Sequence, residues 1–287
     1  MNESATDFKI SGLIETASIE ATPTQIAKFT TRPQWLNPAT KVYVPFLPNS
    51  NFEHTIQACK TLSSWGMEAV PHLPARAIPS ITVLHQWCEA IVTNNINQLL
   101  LIAGDIKSPA GSITDTLAVL DSGVLEQYPI TSIGVAGHPE GHPIANQQTL
   151  QRALAKKIDY TQKSGIKLWV VTQFSFEAQT VINWLNEYRP ILANTPVIAG
   201  IAGPTKLKNL LVYANQCGVM ASAQMLTKHM SAMRLLRPWL PDTLLTELGQ
   251  FKASQPHTNL AGIHLFPFGG LQQSANWLTD HTNQSNG

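Results

Sequence analysis

Ile133-Gly134-Val135-Ala136-Gly137-His138-Pro139-Glu140-Gly141-His142-Pro143 passes abruptly from an apolar run into a stretch of titratable side chains, prolines and glycine. That stretch cannot be helical: each proline lacks an N–H and fixes φ, and each glycine loses backbone entropy. His138, Glu140 and His142 are therefore expected on a stiff loop at the carboxyl end of a strand. In α/β proteins, ligands bind at that end.

Outward from this point the same alternation recurs. Short apolar, β-branched runs stand at Leu13–Ile19, Lys41–Val44, Glu68–Val70, Gln98–Ala103, Ser132–Ala136, Lys167–Val171, Val197–Ile201 and Ala261–Leu265. Nearly continuous hydrophobic strands suit a parallel sheet buried on both faces. Helical patterns lie between them at Phe52–Trp65, Ile81–Thr93, Ser112–Leu120, Gln147–Lys163, Glu177–Glu187 and Lys206–Gln216, with Ala221–Leu235 and Pro241–Ala253 filling the last interval. Eight βα units in roughly 250 residues is the size of a (β/α)8 TIM barrel, and that is the expected α/β fold. The rival doubly wound sheet lacks support, because no G-x-G-x-x-G follows the first strand. No linker or charge run splits residues 1–287, so one barrel domain is expected, ordered over about 10–278.

Composition narrows the class. The chain has 287 residues, 44% hydrophobic, and a formal charge of +1, which gives no electrostatic reason for nucleic acid or an anionic membrane surface as partner. Cys59, Cys88 and Cys217 form no C-x-x-C and are odd in number, so neither a disulfide framework nor a thiolate zinc site is expected. Met1 to Lys9 lacks a signal-peptide apolar stretch, and runs such as Leu99–Ala103 are too short to span a bilayer. A cytoplasmic protein follows, with assembly into a homo-oligomer left open.

In a barrel, the residues following the strands share one mouth. They read Glu20, Pro45, His72, Asp105, His138 with Glu140, Gln173, Gly203 and Phe266. This polar bias points to an active site. A carboxylate such as Glu20, buried at the mouth, would have a raised pKa and suit general-acid work, although Glu15 is a rival and Glu20 could simply solvate a loop. Asp105 follows a wholly apolar strand; it could cap the next helix, but Ser108 and Ser112 are better placed for that. His72 alone reads equally well as a structural histidine. Gln173 offers one acceptor and two donors, suited to a heterocyclic amide, or to bonding inside the barrel. His138, Glu140 and His142 do not form a zinc helix, because Pro139 and Gly141 forbid it. Neither a nucleophile elbow nor a P-loop occurs.

Five segments together resemble methylenetetrahydrofolate reductases: Pro71 to Arg76, Ile102 to Asp105, Val135 to Pro143, Thr172 to Phe176 and Gly262 to Phe266. The resemblance implies reduction of 5,10-methylenetetrahydrofolate to 5-methyltetrahydrofolate, with FAD relaying hydride from NAD(P)H. It implies that Glu20 is the acid opening the folate ring, that Asp105 stabilises the resulting cation, and that Gln173 and Leu207 contact the folate. It assigns cofactor contacts to His72, Asp105, His138, Glu140, His142 and Lys157. Several positions depart from the family: Ala103 stands for an Arg, His138 for a Tyr, Pro45 for a Thr, Leu207 for an aromatic, and Phe268-Gly269-Gly270 lacks an Arg. Because these exchanges fall on flavin and folate contacts, the alternative is a tetrahydrofolate-dependent methyl or one-carbon transferase on the same barrel without flavin.

Overall fold

The computed structural model describes residues 12–38, 40–47, 50–217, 238–268 and 270–285. Eight strands close into a parallel ring: β1 (Ser18–Glu20), β2 (Lys41–Val44), β3 (Ala69–Pro74), β4 (Gln98–Ile102), β5 (Ser132–Gly137), β6 (Lys167–Thr172), β7 (Val197–Ala202) and β10 (Leu260–Phe266). β10 closes on β1 in the register Ser18↔His264. A small antiparallel pair, β8 (Thr205–Lys206) and β9 (Pro238–Trp239), stands after β7. The (β/α)8 barrel expected from the run pattern is the observed fold.

Helices pack outside, and several are started by a polar cap. Asn51 accepts from the His54 amide at the start of α2 (Phe52–Ser64), and Ser80 accepts from the Val83 amide at the start of α3 (Ile81–Val92). Asn146 caps α5 (Gln147–Ser164), which ends on Gly165 at φ 75°, a left-handed turn that glycine adopts without cost. α1 (Pro23–Ile26) follows β1, with proline in its first turn. α6 (Ala178–Leu192) runs further than its apolar period suggested, carrying Pro190 within it. α7 (Leu207–Cys217), α8 (Asp242–Ser254) and α9 (Leu271–Ser285) complete the outer layer among the described residues. The helix expected over Ala221–Leu235 lies outside the described residues.

Three expectations are corrected. The first strand is not Leu13–Ile19: residues 12–14 form a helical turn, and only Ser18–Glu20 pairs. Leu13 and Ile14 are apolar because that turn is buried in the core. The helix after β4 is shorter than Ser112–Leu120; α4 (Thr116–Asp121) starts at Asp115, whose carboxylate accepts from the Ala118 amide at 3.0 Å. β3 continues past Val70 through both prolines to Pro74, which makes His72 a strand residue on the same face as Val70.

Inside the barrel, Tyr43, Val70, Leu100 and Val171 form one apolar layer with Ile102, Trp169 and Ile198. Trp169 on β6 donates its indole N–H to the Tyr43 hydroxyl of β2 at 2.9 Å, bridging strands that lie opposite in the ring. Gly134 makes room for this bridge, since a Cβ there would stand 2.6 Å from the indole.

Candidate functional site

Alternation along β1, β3 and β10 puts Glu20, His72 and His264 on the inner face above the Tyr43–Trp169 bridge. Glu20 Oε2 stands 3.8 Å from His72 Nε2, and no hydrogen bond reaches that nitrogen among the described residues. His264 Nδ1 lies 2.9 Å from Ser18 Oγ. The Tyr43 ring packs against both imidazoles, with centroids 4.5 Å from His264 and 6.3 Å from His72.

Burial sets the charge states. Desolvation pushes the Glu20 carboxyl up to about 7, so near neutrality it is divided between acid and anion. The same desolvation pulls His72 and His264 each down to about 3, with His72 adding a smaller repulsive contribution at His264. Both imidazoles are therefore neutral where Glu20 titrates. The Glu20–His72 approach is then an acid facing a neutral ring nitrogen, not an ion pair. With 23% of its side chain accessible, Glu20 can exchange its proton with the mouth.

Asp105, beyond β4, and Gln173, beyond β6, share that rim with Glu20, because all strands of the ring run parallel. Asp105 is exposed. Since Asp115 caps the following helix, Asp105 has no capping role to explain it. Gln173 is half-buried; its amide N–H donates to the Gly137 carbonyl at 2.7 Å, and its side-chain oxygen accepts from the Phe174 amide at 3.1 Å. The Gln173 NH2 group carries the remaining donors. Ala103, the first residue after β4, carries no polar side chain.

The loop after β5 is non-helical, as its composition suggested. Gly141, at φ 85°, closes a turn by donating its N–H to the His138 carbonyl at 3.1 Å, with Pro139 at the second turn position. His138 and His142 pack edge to face, centroids 5.0 Å apart. Desolvation, then His142 and Lys157, bring His138 down to about 4. Lys157 on α5 falls to about 8 through desolvation, opposed by Asp115. His138, His142 and Lys157 thus gather at one place, with Glu140 in the connecting turn. Among the described residues, no group of three or more His, Cys, Asp or Glu could hold a metal ion. The Cys59 and Cys88 thiols are buried and pushed up to about 12, so they are inert packing groups.

Leu207, beyond the carboxyl end of β7, is 6% exposed and packed with Phe174, Phe176, Ala202 and Leu210 in a satellite core. Sequence reasoning did not single out His264, Ser18 and Tyr43. The signal was available as a period of two: Gly262, His264 and Phe266 alternate on one face of β10, as Ser18 and Glu20 do on β1. Asp115 was also missed, because the expected helix began too early.

The family model for methylenetetrahydrofolate reductase matches residues 39–234. "Methylenetetrahydrofolate reductase (NADH) 1" of Arabidopsis thaliana is 26% identical over 179 residues, which are 55% of this chain and 29% of that protein. The chain thus aligns with less than a third of the length of that curated relative. Deoxyribose phosphate aldolase of Aeropyrum pernix superposes at a TM-score of 0.47 with 9% identity, covering 98% of this chain and 97% of that one. No helix among the described residues is long and apolar enough to cross a membrane. With the matched segment spanning β2 to the end of α7, the chain belongs to the methylenetetrahydrofolate reductase family.

Proposed function

We propose that this chain reduces 5,10-methylenetetrahydrofolate to 5-methyltetrahydrofolate at the mouth of its barrel. The observation that carries the reading is Glu20: a carboxyl raised to about 7 by burial, still partly accessible, beside a neutral imidazole. Ring opening requires an acid that is protonated near neutral pH, and an ordinary surface carboxyl is not. In this reading Glu20 gives its proton to the bridging nitrogen of the folate, the bond from that nitrogen to the methylene carbon breaks, and an iminium remains. Asp105 supplies the anion facing that cation, and the Gln173 NH2 group holds the pterin edge. A hydride from NAD(P)H adds to the methylene carbon and completes the methyl group. Glu20 regains its proton through the accessible side of its carboxyl.

The residues assigned to FAD fit it poorly. A dinucleotide's diphosphate calls for cations and N–H donors. His138 is held neutral, His142 is also lowered by desolvation, and Lys157 is the cation placed beside them. The cavity that His138 lines, about 300 Å³, has the Glu187 carboxylate in its wall and is at the small end for any ligand. This observation favours the second reading, a flavin-free tetrahydrofolate-dependent one-carbon transferase that keeps Glu20, Asp105 and Gln173 for the pterin.

One anaerobic experiment separates them. Purified protein is assayed with methylenetetrahydrofolate and NADH or NADPH, with and without added FAD, while its flavin absorbance is recorded. Nicotinamide oxidation coupled to 5-methyltetrahydrofolate supports the reductase. Folate binding without nicotinamide oxidation under any condition rejects it in favour of the transferase. An absorbing, NADH-bleached protein shows that the flavin is held despite the poor fit.

A further inference from the structure

From Ala103 to Asp115, the chain that carries Asp105 between β4 and α4 forms neither helix nor strand. Ala103 and Asp105 to Ser108 are exposed, and the first side chain of this loop to enter the core is Ile113. Core packing therefore does not hold Asp105 in place. One residue of the neighbouring segment does: Arg76, in the 3-10 turn Ala75–Ala77 after β3. Its amide N–H donates to the Ala103 carbonyl at 2.9 Å, and its carbonyl accepts from the Ala110 amide at 2.8 Å. Its guanidinium donates from Nε to the Ile106 carbonyl at 2.8 Å and from Nη2 to the Lys107 carbonyl. The loop is thus gripped on both sides of Asp105. Two glycines let it lie this close. A Cβ on Gly104 would stand 3.1 Å from Pro74 Cβ, and one on Gly111 would stand 2.0 Å from the Pro79 carbonyl oxygen.

We propose that Arg76 is a positioning residue: its side chain aims Asp105 by fixing the backbone on which that carboxylate stands. The assignment rests on the folate reading above and adds what holds the anion in place. An exposed loop of this length, left to itself, spreads its side chains over many directions, and ordering it on binding costs affinity. Arg76 supplies that order before a ligand arrives. A guanidinium suits the task because its donors stand in a rigid planar fork, which here spans two consecutive carbonyls. Among the described residues Arg76 makes no salt bridge, so it reaches Asp105 through the loop backbone and not by pairing with its charge. Truncating the side chain removes only the two guanidinium bonds. The backbone bonds to Ala103 and Ala110 survive, and the core is untouched.

The test is a double-mutant cycle on the full chain, read by calorimetric titration with 5-methyltetrahydrofolate. Arg76→Ala is expected to weaken binding about fivefold, and Asp105→Asn by at least as much. The double variant is expected to bind no more weakly than Asp105→Asn alone, because Arg76 has nothing left to aim. Arg76→Lys keeps the charge without the fork and is expected to bind like Arg76→Ala. Trypsin reads the loop directly: cleavage after Lys107 is expected to be faster in both Arg76 variants, at a melting temperature close to that of the wild type. Three results overturn the proposal and leave the folate reading standing: the same weakening by Arg76→Ala in both backgrounds, wild-type binding by either Arg76 variant, or unchanged cleavage. Wild-type binding by Asp105→Asn takes Asp105 away from the pterin and Arg76 with it. A wild type that does not bind the folate overturns the folate reading itself.

Discussion

The two ends of the barrel treat polar side chains in opposite ways. At the amino end, Lys41 Nζ lies 3.0 Å from Glu68 Oε1 and donates to Gln98 Oε1 at 3.1 Å, while Gln98 donates to Glu68. Lys41 also sits 5.9 Å above the Trp169 ring. Each group there answers another. At the carboxyl end, Glu20 faces His72 across 3.8 Å, His72 Nε2 takes no hydrogen bond among the described residues, and both histidines are stripped of charge. A satisfied network stabilises, whereas an unsatisfied one costs stability and is retained where it serves a ligand. The difference agrees with the general division of labour in such barrels, chemistry at the carboxyl ends and stability at the amino ends.

Glu20→Gln tests the carboxyl end most severely. Loss of a general acid is expected to lower turnover by about 10²–10⁴-fold, with folate binding largely spared. In the wild type, kcat/KM is expected to fall as pH rises through about 7, where Glu20 loses its proton. The variant is also expected to melt higher than the wild type above pH 7, because it no longer buries a charge. Unimpaired turnover would remove Glu20 from the acid's role and erase the contrast between the two ends.

Asp105→Asn comes next. An exposed anion facing a cationic intermediate is worth less than a buried acid, and about tenfold slower reduction with weaker folate binding is expected. Steady-state kinetics that match the wild type would leave Asp105 as an ordinary rim carboxylate.

The pH dependence of stability sharpens the comparison further. The two histidines have folded-state values near 3, far below the ordinary 6.5, so the unfolded chain binds more protons across that interval. Their contribution is present above pH 6.5 and is lost as the pH falls toward 3. Glu20 acts in the other direction: raised from 4.5 to about 7, it favours the folded state at low pH and loses that contribution as pH rises through 7. Between 4.5 and 6.5 two histidines oppose one carboxyl, so the melting temperature is expected to drop on acidification. His264→Asn should flatten that drop. A slope unchanged from the wild type would show that His264 is not held neutral by its surroundings.

How much of this was legible beforehand depends on which physical rule governed each residue. Strand positions were readable because burial on both faces imposes continuous apolar runs, and Lys41–Val44 came through with its limits intact. Leu13 and Ile14 misled, since burial in a helical turn and burial in a strand demand the same residue types. Two prolines made β3 look finished at Val70, and His72 was consequently read as a loop residue. Glu20 and Asp105 stood out as charges at the ends of apolar runs. His264 did not, because an imidazole inside a strand has no local mark until the register brings Ser18, Tyr43 and His72 around it. Leu207 was placed from the resemblance alone, and its packing against Phe174 and Phe176 had no mark in the local sequence.

The amino end gives the smallest expected effect and the strictest control. Lys41 and Glu68 keep 33% and 54% of their side chains accessible, so solvent screens the pair and its worth is about 0.2–1 kcal/mol. Glu68→Gln leaves an oxygen that can still accept from Gln98, and it removes only the charge. Urea unfolding is expected to show a loss of less than about 1 kcal/mol, with kcat unchanged. The route by which it could do more is specific: Lys41 leans on Trp169, Trp169 holds the Tyr43 hydroxyl, and Tyr43 packs against both histidines. A fall in kcat without a matching loss of stability would mean that this chain of contacts positions the imidazoles beside Glu20. The two ends would then be one mechanical unit.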